Sequence, residues 1–148
     1  MKFNVNQKDL QSSLNYCQGV IEKRSTLPIL SNVLLEAKDE NLKITATDLD
    51  LIFIQNISNI EISEEGKTTT SCSIMYDIVR KFNNEKKINF NLVNENKINL
   101  ESDKSSFNLN CLKASEFPVT EANFRENEFT LNSKKLLKLL NKCKFSVS

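Results

Sequence analysis

The nearest approach to a chemical site in this sequence is a pair of carboxylates in the segment Thr47-Asp48-Leu49-Asp50. On a strand, the spacing of Asp48 and Asp50 places both carboxylates on one face, an arrangement suited to a divalent cation. The alternative is a turn at a strand end, in which Asp48 accepts hydrogen bonds from the local backbone. No third acidic residue and no glycine-rich phosphate loop lie close to the pair. We therefore favour the turn, and we expect no metal, no cofactor and no catalytic residues.

The 148 residues include no histidine, and this absence excludes several classes of enzyme. Serine and cysteine hydrolases that use an imidazole base need this side chain, as do metal sites built on imidazole. The four cysteines stand singly and form no CxxC pair, so neither a zinc ribbon nor a disulfide is expected. We predict that all of them are small buried apolar residues, namely Cys17, Cys72, Cys111 and Cys143.

Length and composition predict one ordinary core, because 148 residues are too few for two full-sized domains. No stretch approaches the roughly 18 consecutive apolar residues that a membrane helix requires. Residues 1–14 also lack the apolar segment of a secretion signal. These features predict a cytoplasmic protein with no membrane partner.

The first half of the chain is predicted to form a strand, a helix and several further strands. The first strand covers residues 1–5, and Asn6 then caps the helix. Pro28 begins an extended stretch that reaches residue 37, and the Ile-rich residues 51–62 form one strand or a strand pair. The buried stripe of the helix is predicted to contain Leu10, Leu14 and Cys17.

The second half repeats this order with a strand over residues 68–72, a helix and three short alternating strands. The apolar stripe of this second helix is predicted to contain Ile74, Met75, Ile78, Val79 and Phe82. The order β-α-β-β-β therefore occurs twice. It predicts an α+β fold in which the helices pack on one side of antiparallel sheets.

An internal repeat links the two ends of the chain, because residues 3–17 align without gaps to residues 129–143 with seven identities in fifteen positions. The identities fall on predicted core and cap positions: Phe3/Phe129, Asn6/Asn132, Lys8/Lys134, Leu10/Leu136, Leu14/Leu140, Asn15/Asn141 and Cys17/Cys143. This repeat predicts a first domain over residues 1–125. Residues 126–148 are then the opening strand and helix of a truncated second domain.

Basic side chains occupy the predicted solvent-facing side of all three helices. They are Lys8 on the first helix, Arg80 on the second, and Lys134 and Lys138 on the third. A single lysine on an exposed helix is usually only a solvated residue. Recurrence at equivalent places favours a row of basic helices that faces a polyanion.

The segment after the first helix resembles a known family signature. Residues Arg24-Ser25-Thr26-Leu27-Pro28-Ile29-Leu30 are similar to the segment that follows the first helix in bacterial DNA sliding clamps, the beta subunits of DNA polymerase III. The resemblance covers all 148 residues and includes Met1-Lys2-Phe3, residues 44–50, Asp77-Ile78-Val79-Arg80, Phe117-Pro118 and residues 128–131. It implies the DNA clamp fold, in which two chains of three such domains close into a ring with sheets outside and helices around duplex DNA.

The function that this resemblance implies is non-catalytic. A sliding clamp is a processivity factor in DNA replication that contacts double-stranded DNA without reading its sequence. The implied partners are DNA polymerase III subunits, the clamp loader, and a second copy in a head-to-tail homodimer.

Particular residues acquire expected roles through the same resemblance. Arg24 is expected to contact DNA from the pore side, and Arg80 and Lys138 are expected on pore helices. The joint between subunits is expected on the last strand of the first domain, at Phe107 and Leu109. Two positions that are usually basic in the family depart from its pattern, and these are Ser12 and Ser73.

Two alternatives of a different class stay open at this stage. A lone first domain could serve as a protein-interaction scaffold that binds no DNA. An enzyme that uses Asp48 and Asp50 is the weaker alternative, because no further chemical group accompanies them. Binding of duplex DNA at low and at high salt distinguishes the clamp from the scaffold.

Overall fold

Antiparallel strands and two packed helices account for most of the computed structural model, which describes residues 1–22, 26–83, 86–118 and 130–144. The first part of the chain forms β1 (Lys2–Asn6), α1 (Gln7–Cys17), β2 (Asn32–Lys38), β3 (Asn41–Thr47), β4 (Ile52–Ser58) and β5 (Glu61–Glu64). The second part forms β6 (Gly66–Ser71), α2 (Cys72–Val79), β7 (Lys87–Asn94), β8 (Lys97–Ser102), β9 (Ser105–Leu112) and α3 (Ser133–Cys143). The predicted order β-α-β-β-β, twice over, is confirmed. The Ile-rich segment, predicted as one strand or two, forms the two strands β4 and β5.

The strands join in the order β4-β3-β2-β6-β9-β8-β7-β1-β5. Every strand pair within the described ranges is antiparallel. The part of the sheet formed by β4, β3, β2 and β6 meets the part formed by β9, β8, β7, β1 and β5 at a narrow junction. There, β6 pairs with β9 only through Thr69 with Leu112 and Thr70 with Cys111. The predicted α+β class is therefore confirmed.

One face of the sheet and the apolar stripes of α1 and α2 form a single core. The rings of Phe3 on β1 and Phe90 on β7 stack within it, with centroids 4.7 Å apart. The predicted stripe of α1 is confirmed, since its residues Leu10, Leu14 and Cys17 are all fully buried. Both helices therefore lie on the same side of the sheet, and their opposite faces remain polar.

Side-chain caps define where the helices begin. The Asn6 side chain accepts a hydrogen bond from the backbone N–H of Lys8 at 2.9 Å, as the sequence predicts. Ser71 caps α2 through the N–H of Ile74, and Asn132 caps α3 through the N–H of Lys135 at 3.1 Å. The helices α1 and α3 thus share both an asparagine cap and a length of 11 residues.

Two predictions of local structure are wrong. Residues Pro28–Ser31 form a short 3-10 helix, and β2 begins only at Asn32. Proline suits the first position of a helical turn, because its φ is fixed and its missing N–H is not needed there. On α2, Ile74 is 54% exposed, and the buried positions are Cys72, Met75 and Val79.

The third helix has no buried residue. The positions that match the buried leucines of α1, which are Leu136 and Leu140, are exposed. Residues 130–132 form no strand, and Phe129 lies outside the described residues. The domain bounds at 125 and 126 therefore stay a prediction.

The cysteine prediction is confirmed at three positions and wrong at the fourth. Cys17, Cys72 and Cys111 are buried, whereas Cys143 on α3 is exposed. The Cys72 thiol contacts the Cys17 thiol, and this contact together with burial raises the pKa of Cys17. Burial also raises the pKa of the Cys111 thiol.

The helices of the described residues are all too short or too polar to cross a membrane.

Thiol labelling tests this assignment of the cysteines. Because thiolate is the reactive species and three thiols are buried, we expect a thiol reagent to modify Cys143 in the folded chain at the rate of a free thiol. Full modification of Cys17, Cys72 and Cys111 should require denaturant. Rapid labelling of all four in the folded protein, followed by mass spectrometry, would contradict the fold around α1 and α2.

Candidate nucleic-acid interface

The helices α1 and α2 run antiparallel, and hydrogen bonds between side chains and the partner helix join them at three places. At one end, Gln7 Nε2 donates to the carbonyl oxygen of Val79 at 2.8 Å. In the middle, the Tyr76 hydroxyl donates to the Asn15 side chain at 3.3 Å. At the other end, the Ser73 hydroxyl donates to the Gln18 side chain at 3.3 Å. The bond of Tyr76 lies on the polar face of the pair, directed away from the sheet, whereas the bond of Gln7 is buried.

Lys8 and Arg80, both predicted to be DNA contacts, lie at the same end of this helix pair. Lys8 is in the first turn of α1, and Arg80 directly follows the last residue of α2. Both side chains are exposed. Within the part of the chain that the structure describes, Lys8 has no acidic partner at ion-pair distance.

The guanidinium of Arg80 is partly compensated by its own helix. Arg80 Nη2 lies 3.2 Å from Asp77 Oδ1, one turn earlier, and the Tyr76 ring lies 6.0 Å from Arg80 Cζ. Exposed ion pairs of this kind are weak, so Arg80 remains able to bind a phosphate. Asp77 nevertheless lowers the positive potential at this end of α2.

Sequence reasoning missed a third cation in the same place. Lys81 is exposed and follows Arg80 in the turn after α2, where its N–H donates to the carbonyl of Ile78 at 3.0 Å. Helical phase was the criterion for choosing basic residues, and Lys81 lies beyond the helix. Its position next to Arg80 in the sequence was the available signal.

The remaining predicted DNA contacts are separate from this cluster. Arg24 lies outside the described residues. Lys134 and Lys138 are exposed and lie one turn apart on α3. The structure therefore places Lys8 and Arg80 at the same end of the helix pair, and DNA contact by all five residues stays a prediction.

The carboxylate pair of Asp48 and Asp50 lies in the turn between β3 and β4. Asp48 Oδ1 accepts hydrogen bonds from the N–H groups of Asp50 at 3.0 Å and of Leu51 at 2.6 Å. Thr47 Oγ1 accepts from the N–H of Leu49, which holds a left-handed φ of 84°. These contacts are those of a capped turn, and the strand interpretation is wrong. The described residues contain no group of three or more metal-ligating side chains.

The predicted subunit joint lies on β9. Leu109 is only 6% exposed and belongs to the core, whereas Phe107 is 38% exposed and packs edge-on against Phe82, with ring centroids 5.8 Å apart. On one side, β9 pairs with β8 from Ser105 to Asn110. On the other side, residues 105–109 pair with no strand of the described chain, because β6 reaches only the end of β9. This stretch is a free sheet edge beside an accessible phenylalanine.

Comparisons with known proteins agree on one family. The family described as "DNA polymerase III beta subunit, N-terminal domain" matches residues 1–121. The chain is 31% identical to the beta sliding clamp of Caulobacter vibrioides and 32% identical to that of Escherichia coli K12. Both alignments cover 100% of this chain and 40% of the relative.

Solved structures give the same result. The structure of Caulobacter crescentus pol III beta superposes with a TM-score of 0.92 at 31% identity, over 100% of this chain and 40% of that chain. A sliding clamp of Bartonella birtlesii bound to griselimycin superposes with a TM-score of 0.92 at 32% identity, over 98% of this chain and 38% of that chain. The chain thus spans about two fifths of the length of the proteins it matches.

Substitution of Asp48 distinguishes the turn from a metal site. Asp48→Ala removes two hydrogen bonds to backbone N–H groups, so we expect it to lower the free energy of unfolding by about 1–2 kcal/mol. Calorimetry with Mg²⁺ or Mn²⁺ should give no binding heat at this turn in the parent chain. Tight binding that disappears in Asp48→Asn would contradict the structural role.

Proposed function

Since the chain belongs to the family of DNA polymerase III beta subunits, the bacterial DNA sliding clamps, we propose that it is the N-terminal part of such a clamp. In this function it encircles duplex DNA together with further domains and tethers DNA polymerase III without catalysing a reaction. Residues 1–125 are its first domain, and residues 126–148 are the opening segment of the second. The chain acts in the cytoplasm, where the chromosome is replicated.

The observation that carries this proposal is the polar face of α1 and α2. It presents hydroxyl and amide groups with a few cations at one end, Lys8, Arg80 and Lys81. A protein that slides needs few phosphate contacts and none that read bases, because many strong contacts would fix its position. Arg24, Lys134 and Lys138 add to this set under the proposal.

The free edge of β9 supports a head-to-tail ring. In such a ring each subunit offers two different surfaces, so one surface can be an open strand that a neighbouring chain extends. Residues 105–109 supply that strand, and Phe107 supplies an apolar contact beside it. The polymerase subunits and the clamp loader bind the assembled ring under this proposal.

A scaffold that binds no DNA is the second candidate. It is favoured by the weak positive charge, since the formal net charge is only +1. Fluorescence anisotropy with a short labelled duplex at low ionic strength separates the two candidates. A clamp segment binds weakly and without sequence preference, whereas a scaffold gives no signal at any salt concentration.

The first test of the interface removes Lys8 and Arg80 singly. Each phosphate contact releases counterions, so Lys8→Ala and Arg80→Ala should each reduce the slope of log K against log salt by about 0.9. Arg24→Ala, Lys134→Ala and Lys138→Ala are measured in the same series.

Lys97→Ala is the matched control for this series. Lys97 is an exposed lysine on β8, on the side of the sheet that faces away from the helices. The substitution changes the net charge by the same amount and should leave the slope unchanged. Equal losses from Lys97→Ala and Lys8→Ala would show that only overall charge matters, and that the helix face is not the interface.

Self-association tests the joint on β9. An apolar side chain beside an open strand favours pairing with a second copy, so sedimentation should reveal weak dimers or larger species as concentration rises. Phe107→Glu should shift the distribution to monomers by placing a charge at the contact. Leu109→Glu is unsuitable, because a charge at this buried position would destabilise the core.

Val93→Glu serves as the control for this experiment. Val93 is 57% exposed on β7, which lies between β8 and β1 and is therefore not an edge strand. Its substitution should leave the association unchanged. A chain that stays monomeric at all concentrations, or equal effects of both substitutions, would rule out β9 as the joint.

A further inference from the structure

Gln7, the first residue of α1, is a fully buried polar side chain at the basic end of the helix pair. Its Nε2 donates to the carbonyl oxygen of Val79 at 2.8 Å and to Gln11 Oε1 at 2.8 Å. Its Oε1 is buried and has no hydrogen-bond partner. Gln7 is therefore a buried polar residue whose unpaired oxygen lowers the free energy of unfolding.

Core packing alone does not account for this residue. A methionine or leucine at position 7 would fill a similar volume and leave no unpaired oxygen in the interior. The two bonds that the amide makes are directional, and one of them crosses to the other helix. The amide thus contributes a fixed geometry that an apolar side chain does not provide.

The bond from Gln7 connects the backbone positions directly before the two cations. Gln7 precedes Lys8, and Val79, whose carbonyl accepts the bond, precedes Arg80. The backbone N–H of Gln7 also donates to the carbonyl of Lys86 at 3.1 Å. Gln7 therefore holds the chain after α2 at two points that bracket Arg80 and Lys81.

The carbonyl of Val79 lies in the last turn of α2, where helices lose their regular hydrogen bonds. It already accepts from the N–H of Phe82 at 3.2 Å, and the Gln7 amide adds a second donor. Two donors on one carbonyl stabilise the turn that carries Arg80 and Lys81. The Gln7 amide therefore ties this turn to α1, in addition to the hydrogen bonds within the turn itself.

We propose that Gln7 is a positioning residue for DNA binding, which fixes Arg80 relative to Lys8 so that both contact phosphates of the same duplex. The inference rests on the proposed function. Gln7 does not touch DNA, and it acts through the backbone of the two residues that precede the cations. Its loss therefore changes DNA binding even though every cation is still present.

Gln7→Met in the 148-residue chain is the test, with two measurements. Loss of the bond to Val79 should speed amide hydrogen exchange of Arg80, Lys81 and Phe82 by about fivefold, the factor expected for one net hydrogen bond. The slope of log K against log salt for a short duplex should fall by about 0.9, as for Arg80→Ala. Adding Arg80→Ala to Gln7→Met should then change the slope no further.

Gln18→Met is the matched control. Gln18 lies at the opposite end of the same helix pair, where its Oε1 accepts from the Ser73 hydroxyl at 3.3 Å and its Nε2 donates to Cys72 Sγ at 3.5 Å. The substitution has the same chemistry and also removes a link between α1 and α2. It should leave the salt slope unchanged, so an effect of general destabilisation is separated from positioning.

Each possible outcome of these measurements either supports the proposal or overturns it. Unchanged exchange at residues 80–82 in Gln7→Met overturns the proposal whatever DNA binding shows, and so do fully additive effects of Gln7→Met and Arg80→Ala. If Arg80→Ala and Lys8→Ala leave the parent chain's DNA binding unchanged, the proposed contacts fail and the role of Gln7 fails with them. Faster exchange in that case still identifies the structural bond. If Gln7→Met and Gln7→Leu both fail to fold while Gln18→Met folds, Gln7 is purely structural and the proposal is overturned.

Discussion

The burial of two short helical stripes against one face of a sheet is the constraint on which the rest of this structure depends. Leu10 and Leu14 on α1, and Met75 and Val79 on α2, are fully buried in the core. Truncating a buried leucine to alanine costs about 2–5 kcal/mol, which is a large share of the stability of a small domain. Since these stripes fix how each helix is rotated, they also determine which side chains face solvent. The placement of Lys8 and Arg80 on one polar face therefore follows from the core and not from any interaction between the cations.

That polar face combines low charge with rigidity. Asp77 partly neutralises Arg80, and Ser73, an uncharged residue in the first turn of α2, hydrogen-bonds Gln18. Few charges give a shallow attraction to phosphates, which suits the movement along DNA that we propose for this chain. A shallow attraction is useful only if the charges keep a fixed spacing, because each contact that is lost is a large part of the total. The hydrogen bonds between α1 and α2 hold the charges at this spacing, and they do so between uncharged groups.

Periodicity was sufficient to predict the element order, the stripe of α1 and the asparagine cap, because each is specified by neighbouring residues. The errors arose where distant parts of the chain decide the outcome. Ile74 has the right spacing for burial, but α2 begins at Cys72 and its rotation turns Ile74 towards solvent. Pro28 is compatible with both an extended segment and a helical turn. The alternation of Phe107 and Leu109 was correct, yet only the packing of distant residues shows that Leu109 is buried in the core, whereas Phe107 lies beside Phe82 and is 38% exposed. The role of Gln7 could not be predicted from the sequence, because the carbonyl that it bonds lies 72 residues away in the chain.

The comparison of α1 with α3 shows how much of a helix depends on its surroundings. Both helices have 11 residues and an asparagine cap, and they share leucines at equivalent positions. In α1 these leucines are fully buried, whereas in α3 Leu136 is 39% exposed and Leu140 is 58% exposed. An isolated helix of this length is marginal in water, so sequence similarity alone does not give α3 the stability of α1. What α1 has in addition is the inner face of a sheet, formed by β1 before it and by strands that follow it in the chain. By the logic of the repeat, the surface that α3 needs is a second sheet of the same kind, and this requirement supports the proposal that residues 126–148 open a second domain.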